Sequence, residues 1–108
     1  MDFPLTDEQI DKIIYLRNNV SARSRYEQMA EEACELAHAA LKFVRTWNTD
    51  NPTPVDPHEA LRNLLEEVDD LYLCLVVNAL LSCEVEPIER KLNRWYERVK
   101  KAQDEAGE

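Results

Sequence analysis

Apolar residues recur three and four positions apart along most of this chain, the period of an amphipathic α-helix. One stripe runs from Tyr26 through Met29, Ala33, Leu36 and Ala40 to Val44 and centres near Ala33. A second runs from Leu61 through Leu64, Val68, Leu71 and Leu75 to Ala79 and centres near Val68. Around them the spacing predicts four helices and no convincing strand. The first starts after Thr6, with Gln9 completing a capping box, and reaches about Asn19. The second starts near Ser21 and continues to about Trp47. Residues 48–55 read Asn-Thr-Asp-Asn-Pro-Thr-Pro-Val, turn chemistry that ends it. The third opens with Asp56 as N-cap, Pro57 at the first helical position and Glu59 closing a capping box, and ends near Ser82. Pro87 opens a fourth that runs to about Gln103, with a frayed tail from about residue 104.

From Leu71 to Leu81 the third helix is apolar on nearly every side, with Asn78 the main exception. A helix of that kind must be covered all round, and four helices of this size cannot do so unaided. The pattern therefore predicts an all-α fold of four helices completed by homo-oligomerisation; it does not separate a dimer from a tetramer, of which a tetramer built as a dimer of dimers is favoured. Asn78 then needs a polar partner, across an interface or at a ligand.

Composition narrows the function. At 108 residues with 44% hydrophobic content, residues 1–108 form one domain. The single glycine, Gly107, stands in the tail, which removes every Gly-rich phosphate loop. A formal net charge of -9 argues against nucleic acid as the partner. Cys34, Cys74 and Cys83 lack metal-site spacing, and an odd count without a signal sequence predicts reduced thiols and a cytoplasmic location. No apolar run is long enough to span a bilayer, so no membrane partner is expected.

Against this background two acidic clusters stand out: Glu31-Glu32-Ala33-Cys34-Glu35 in the second helix and Glu66-Glu67-Val68-Asp69-Asp70 in the third. Acid runs on helices are most often solvated faces, and geometry separates these from that ordinary case. At about 100° per residue, Glu32 and Glu35 lie roughly 100° and 160° to one side of the first stripe, and Glu67 and Asp70 take the same offsets, with the same sign, from the second. A short connection favours antiparallel neighbours, and antiparallel packing puts flanks of the same sign on one side. The levels agree as well, roughly 21 Å before the loop and roughly 18 Å after it at about 1.5 Å per residue. The four carboxylates are therefore expected to meet. Such a cluster repels itself, and a divalent cation is the natural compensation; oxygen-only ligands favour Mg²⁺, with Mn²⁺ as the alternative, over zinc.

The arrangement Glu31-Glu32-x-x-Glu35-Leu36 followed by Glu66-Glu67-x-x-Asp70-Leu71 resembles the MazG-like all-α nucleoside triphosphate pyrophosphatases, a superfamily that also holds dimeric dUTPases, dCTP pyrophosphatases and phosphoribosyl-ATP pyrophosphatases. Its signature of ExxE on one helix and ExxD on the next is matched by Glu32/Glu35 and Glu67/Asp70. Lys91-Leu92-Asn93-Arg94-Trp95 is similar to the family's late basic stretch. The resemblance covers roughly Arg25 to Val99; Asp69 stands where relatives often have a small residue.

The resemblance implies a four-to-five-helix bundle and a Mg²⁺-dependent enzyme that cleaves a nucleoside triphosphate between its α- and β-phosphates, controlling the nucleotide pool, with Glu32, Glu35, Glu67 and Asp70 as metal ligands. Glu31, one turn from Glu35, is a candidate for a second metal or for the base that activates water, a role Glu35 shares. Lys91 and Arg94 are candidates for phosphate contacts, followed by Arg25 and Lys42. Trp47 and Trp95 are candidates for stacking on a base. His38 makes an E-x-x-H with Glu35, but di-iron bundles need two such elements, so a surface or interface histidine is the better reading. Two other functions stand beside this one: a phosphoribosyl-ATP pyrophosphatase-like enzyme, and a non-enzymatic acidic helical oligomerisation or adaptor module.

Overall fold

The computed structural model describes residues 5–47, 50–81 and 84–107. Among them the chain is all-α, with four helices and no strand: α1 (Asp7–Asn19), α2 (Ala22–Val44), α3 (Pro57–Val77) and α4 (Glu86–Ala106). The starts follow local chemistry. Thr6 and Gln9 bond reciprocally across the first turn of α1, Ser21 Oγ accepts from Ser24 N, and Asp56 accepts from His58 N ahead of Pro57. α4 begins at Glu86, one residue before the expected Pro87, with no side-chain cap at Val85, and runs to Ala106, past the expected end at Gln103.

Two helix ends come earlier than the hydrophobic pattern predicts. α2 stops at Val44 rather than Trp47, where the Thr46 hydroxyl donates to the Phe43 carbonyl at 2.7 Å and competes with the helical ladder. Thr53 N then returns to Arg45 O. α3 stops at Val77, short of the expected end near Ser82, itself outside the described residues. The Leu80 N–H reaches Leu75 O and the Ala79 N–H reaches Val76 O, the paired bonds of a Schellman motif. Ala79 occupies its left-handed position with φ 54°. Arg17, from α1, donates Nε to Val77 O at 2.9 Å and Nη2 at 3.1 Å to Val76 O, the carbonyl that the Ala79 N–H also uses, and so adds a tertiary clamp to the helix end.

Glycine normally fills that left-handed position because a Cβ there costs about 1 kcal/mol. Ala79→Gly is therefore expected to stabilise the fold by up to about 1 kcal/mol, read as a higher urea midpoint at unchanged slope. A loss of stability would mean that the Ala79 methyl is held by packing that outweighs its strain.

α2 and α3 form the main helix pair and α1 packs on α3, whereas α4 has no comparable packing against any of them. The α2–α3 pair is antiparallel: Asn78 Nδ2 reaches Arg25 O at 3.5 Å at one end, while Lys42 and Asn63 line one cleft at the other. Its seam has a heptad rhythm. On α2 the shielded positions include Arg25, Met29, Glu32, Leu36, Ala39 and Phe43; on α3 they include Ala60, Leu64, Glu67, Leu71, Cys74 and Asn78. On both helices this seam is turned about 80° from the centre of the apolar stripe, toward the acids. Stripe-to-stripe packing is thus corrected by the structure. The centres of the expected stripes face outward, with Ala33 exposed, Val68 43% and Leu65 56% exposed.

Few side chains are covered in the single chain. Ala60, Cys74 and Val77 are its buried apolar residues and Asn78 its buried polar one, among the described residues. The segment from Leu71, expected to be covered all round, is half-buried at Leu71, Tyr72 and Leu75 and exposed at Leu73 and Leu80. The radius of gyration is 18.5 Å, against about 13 Å for a compact chain of this length.

Candidate metal centre

Glu32 and Glu67 stand at the middle of the α2–α3 seam, and Glu35, one turn further along α2, reaches over from its edge. One carboxylate oxygen from each of the three lies within 4.8 Å of the others. Glu32 and Glu67 are half-buried and Glu35 is exposed. Oε2 of Glu32 and Oε2 of Glu67 are both buried without a hydrogen-bond partner. Buried acceptors are rarely left unbonded, and a carboxylate can only accept when ionised. What satisfies two such oxygens side by side is a proton or a cation.

Asp70 is exposed and lies outside the three-oxygen group, yet it lines a cleft together with Glu32 and its charge acts on both Glu32 and Glu67. The Glu32 carboxyl is pushed above its ordinary range first by burial, then by the charges of Glu35, Asp70 and Glu67. The Glu67 carboxyl rises for the same leading reason, then through Glu35 and Asp70. Glu35 can accept a hydrogen bond from either once protonated, which adds to both shifts. The Cys74 thiol rises through burial, then through Glu32 and Asp70, so it is a poor nucleophile.

These shifts set a pH dependence. Glu32 and Glu67 bind protons more tightly folded than unfolded, so their contribution is fully present below the unfolded glutamate range and is lost as pH rises through the raised folded values. In EDTA, the thermal midpoint is expected to fall as pH climbs from about 4 toward neutrality. A profile flat across that window would show that water already screens these carboxylates from one another.

Two clefts meet at the acids. The first, about 210 Å³, has apolar walls from Leu16, Val20, Leu73 and Val77, with Glu32 and Asp70 on its border. Arg25 and Gln28 also line it, and the Arg25 Nε donates to Val20 O at 3.1 Å. Asn78, 9% exposed, closes it beside Cys74; its Nδ2 donates to Cys74 O at 2.8 Å while Oδ1 is buried without a partner. The second cleft, about 320 Å³, is mixed in character and strongly acidic: Glu35, Glu59, Glu66 and Glu67 line it with His38, Lys42 and Asn63, and Ala39, Val55 and Ala60 supply its apolar wall.

Of the residues singled out in the sequence, the structure thus brings together Glu32, Glu35 and Glu67, sets Asp70 beside them, and places Arg25 and Lys42 in the flanking clefts. Glu31 is exposed and outside the group. Trp47 is exposed, with its ring edge-to-face on Phe43 at 5.6 Å. Lys91, Arg94 and Trp95 sit exposed on α4 and line neither cleft. Sequence reasoning missed Gln28 and Asn63, each four residues before a site acid and so on the same helical face. It also passed over His38 as a cleft residue, and over Arg17, whose role depends on an α1–α3 approach that no local pattern encodes.

Cys34 is an exposed free thiol and Cys74 a buried one; Cys83 lies outside the described residues. Among those residues no helix is long and apolar enough to cross a membrane. No family model, curated protein or solved structure matches the chain.

Proposed function

We propose that this chain is a Mg²⁺-dependent nucleoside triphosphate pyrophosphohydrolase, converting a (d)NTP to the monophosphate and pyrophosphate, as its resemblance to the MazG-like enzymes implies. The observation that carries the reading is the convergence of Glu32, Glu35 and Glu67, with two buried carboxylate oxygens that have no partner. The donor set fits the ion. Oxygens bonded to one Mg²⁺ at about 2.1 Å lie within about 4.2 Å of each other, so oxygens grouped within 4.8 Å need only a small contraction. Asp70 is the fourth acid within reach of that site.

When bound, Mg²⁺ neutralises phosphate charge and favours attack by water. The chain's own groups do the rest. Glu32, Glu35 and Glu67, with Asp70 beside them, would hold the cation. Glu35 is exposed at the rim and can take the proton of a water attacking the α-phosphorus; Glu31, outside the cluster, is less suited to that task. As the new P–O bond forms, the bond to the bridging oxygen breaks and the electron pair leaves with pyrophosphate.

The exposed apolar faces support a homo-oligomer, with a dimer of dimers the favoured form. Ile88, Leu92, Trp95, Tyr96 and Val99 form one face of α4, and Leu92 and Trp95 are 60% and 64% exposed. Monomers rarely leave such faces open. Seating α4 of one copy against the helices of another would cover both and carry Lys91 and Arg94 toward a partner's acids.

The direct test is pyrophosphate release from a panel of NTPs and dNTPs in Mg²⁺, Mn²⁺ or EDTA. Metal-dependent release is the expected result. A folded oligomer inert toward every nucleotide and indifferent to Mg²⁺ would favour an acidic adaptor module instead.

A further inference from the structure

We propose that Asn78 is a specificity-determining residue: its Oδ1 accepts a hydrogen bond from an N–H on the edge of a neutral, flat heterocycle held in the first cleft. This rests on the pyrophosphohydrolase reading, in which the ring is the nucleobase, and adds to it the residue that reads the ring. Asn78 is 9% exposed, lines the cleft, and carries an Oδ1 that is buried without a hydrogen-bond partner. Its neighbours fix which way the amide points. Nδ2 donates to Cys74 O at 2.8 Å and to Arg25 O at 3.5 Å, which spends both of its hydrogens. Turning the amide over would set its oxygen against those two carbonyls. Asn78 therefore has an acceptor to offer a ligand and no donor.

The rest of the lining suits a ring. Leu16 and Val20 come from α1 and its C-cap, and Leu73 and Val77 come from α3. A flat heterocycle has apolar faces that gain by leaving water for such walls, and an edge that keeps its hydrogen bonds. The volume, about 210 Å³, lies below the roughly 300 Å³ at which sites for drug-sized ligands begin, so it takes one ring system and leaves the remainder of a nucleotide outside. Glu32 and Asp70 border the cleft, and a ring held there leads to the acids. Arg25, in the same lining, opposes their charge, as a bound cation does, so the lining calls for no charge on the ring. Gln28 also lines the cleft but is exposed, so it can turn its amide either way and adapts to many edges. Asn78 cannot turn. Its Oδ1 is shielded from bulk water, and a ring without the N–H leaves that acceptor bare.

The test removes the donor from the ligand. The dNTP that wild type turns over best is compared with the analogue lacking its edge N–H: pyrimidin-2-one for cytosine, purine for adenine, the N3-methyl ring for uracil or thymine, N1-methylhypoxanthine for guanine. In wild type, kcat/KM is expected to fall about tenfold or more on the analogue. In Asn78→Leu the pair should come within about twofold, because the variant has no acceptor to leave bare. Wild type that treats the two alike overturns the proposal, and so does discrimination that survives in a variant shown by circular dichroism to be folded. Asn78→Ala replaces Asn78→Leu if the leucine does not fold, and the wild-type comparison needs no variant. Should wild type turn over no nucleotide, the hydrolase reading fails separately. Calorimetry of the free bases then decides: binding of adenine or cytosine that purine or pyrimidin-2-one does not share upholds the pocket, and no binding, or equal binding, overturns it.

Discussion

Glu35→Gln is expected to cut Mg²⁺-dependent pyrophosphate release by about a thousandfold while leaving the metal-free protein at least as stable as wild type. Both halves follow from one arrangement. The charge of Glu35, like that of Asp70, raises both Glu32 and Glu67, and the Glu35 oxygen also accepts from either when that carboxyl is protonated. Glutamine keeps the shape, loses the charge, and can neither bind a cation with the same strength nor take a proton from water. The same neutralisation relieves repulsion in the seam, so the thermal midpoint in EDTA should hold or rise. The stabilisation that Mg²⁺ gives the wild type should shrink in the variant. Ordinary structural residues behave in the opposite way, losing activity because they lose stability. If Glu35→Gln instead unfolds the metal-free protein, the acids are part of the scaffold and the catalytic reading falls. If it folds and turns over at the wild-type rate, the base lies elsewhere.

The second large effect concerns assembly. Leu92→Asp sets a carboxylate in the middle of the exposed α4 face, where Ile88, Trp95 and Tyr96 surround it along the helix. In an isolated chain the position is 60% exposed, and the change would cost almost nothing. In an oligomer that buries the face, an unpaired charge costs about 4 kcal/mol, or about a thousandfold in association. Sedimentation velocity should therefore find a wild-type oligomer and a dissociated variant of unchanged helicity. Turnover should fall with dissociation, because Lys91 and Arg94 line neither cleft of their own chain. A wild type that sediments as a monomer overturns the oligomer. A dissociated variant with full activity would leave the site complete in one chain.

The two predictions draw on different layers of information. The convergence of Glu32, Glu35 and Glu67 was legible because helical periodicity is local and a short loop makes the helices antiparallel; Asp70 shares the offset but lies outside the three-oxygen group. The helix starts were legible too, since Thr6, Ser21 and Asp56 act on the amides just after them. The end of α3 was hidden because its stop signal is a left-handed Ala79 where glycine would have announced it, secured by Arg17 some sixty residues away in the chain.

By itself, then, the sequence determined the all-helical architecture, the helix starts and the faces on which acids and apolar residues lie. These depend on bonds and torsions within a few residues. Tertiary structure alone decided how α2 and α3 are rotated against one another. A turn of about 80° from the apolar stripes carries Glu32 and Glu67 into the seam and leaves Leu65, Val68 and the whole α4 face outside. Two amphipathic helices can pair through several faces whose burial energies are close, and the choice rests on side-chain fit between segments distant in sequence. That choice leaves two carboxylate oxygens buried without a partner, places a cleft on either side of them, and exposes apolar surface that another chain can cover.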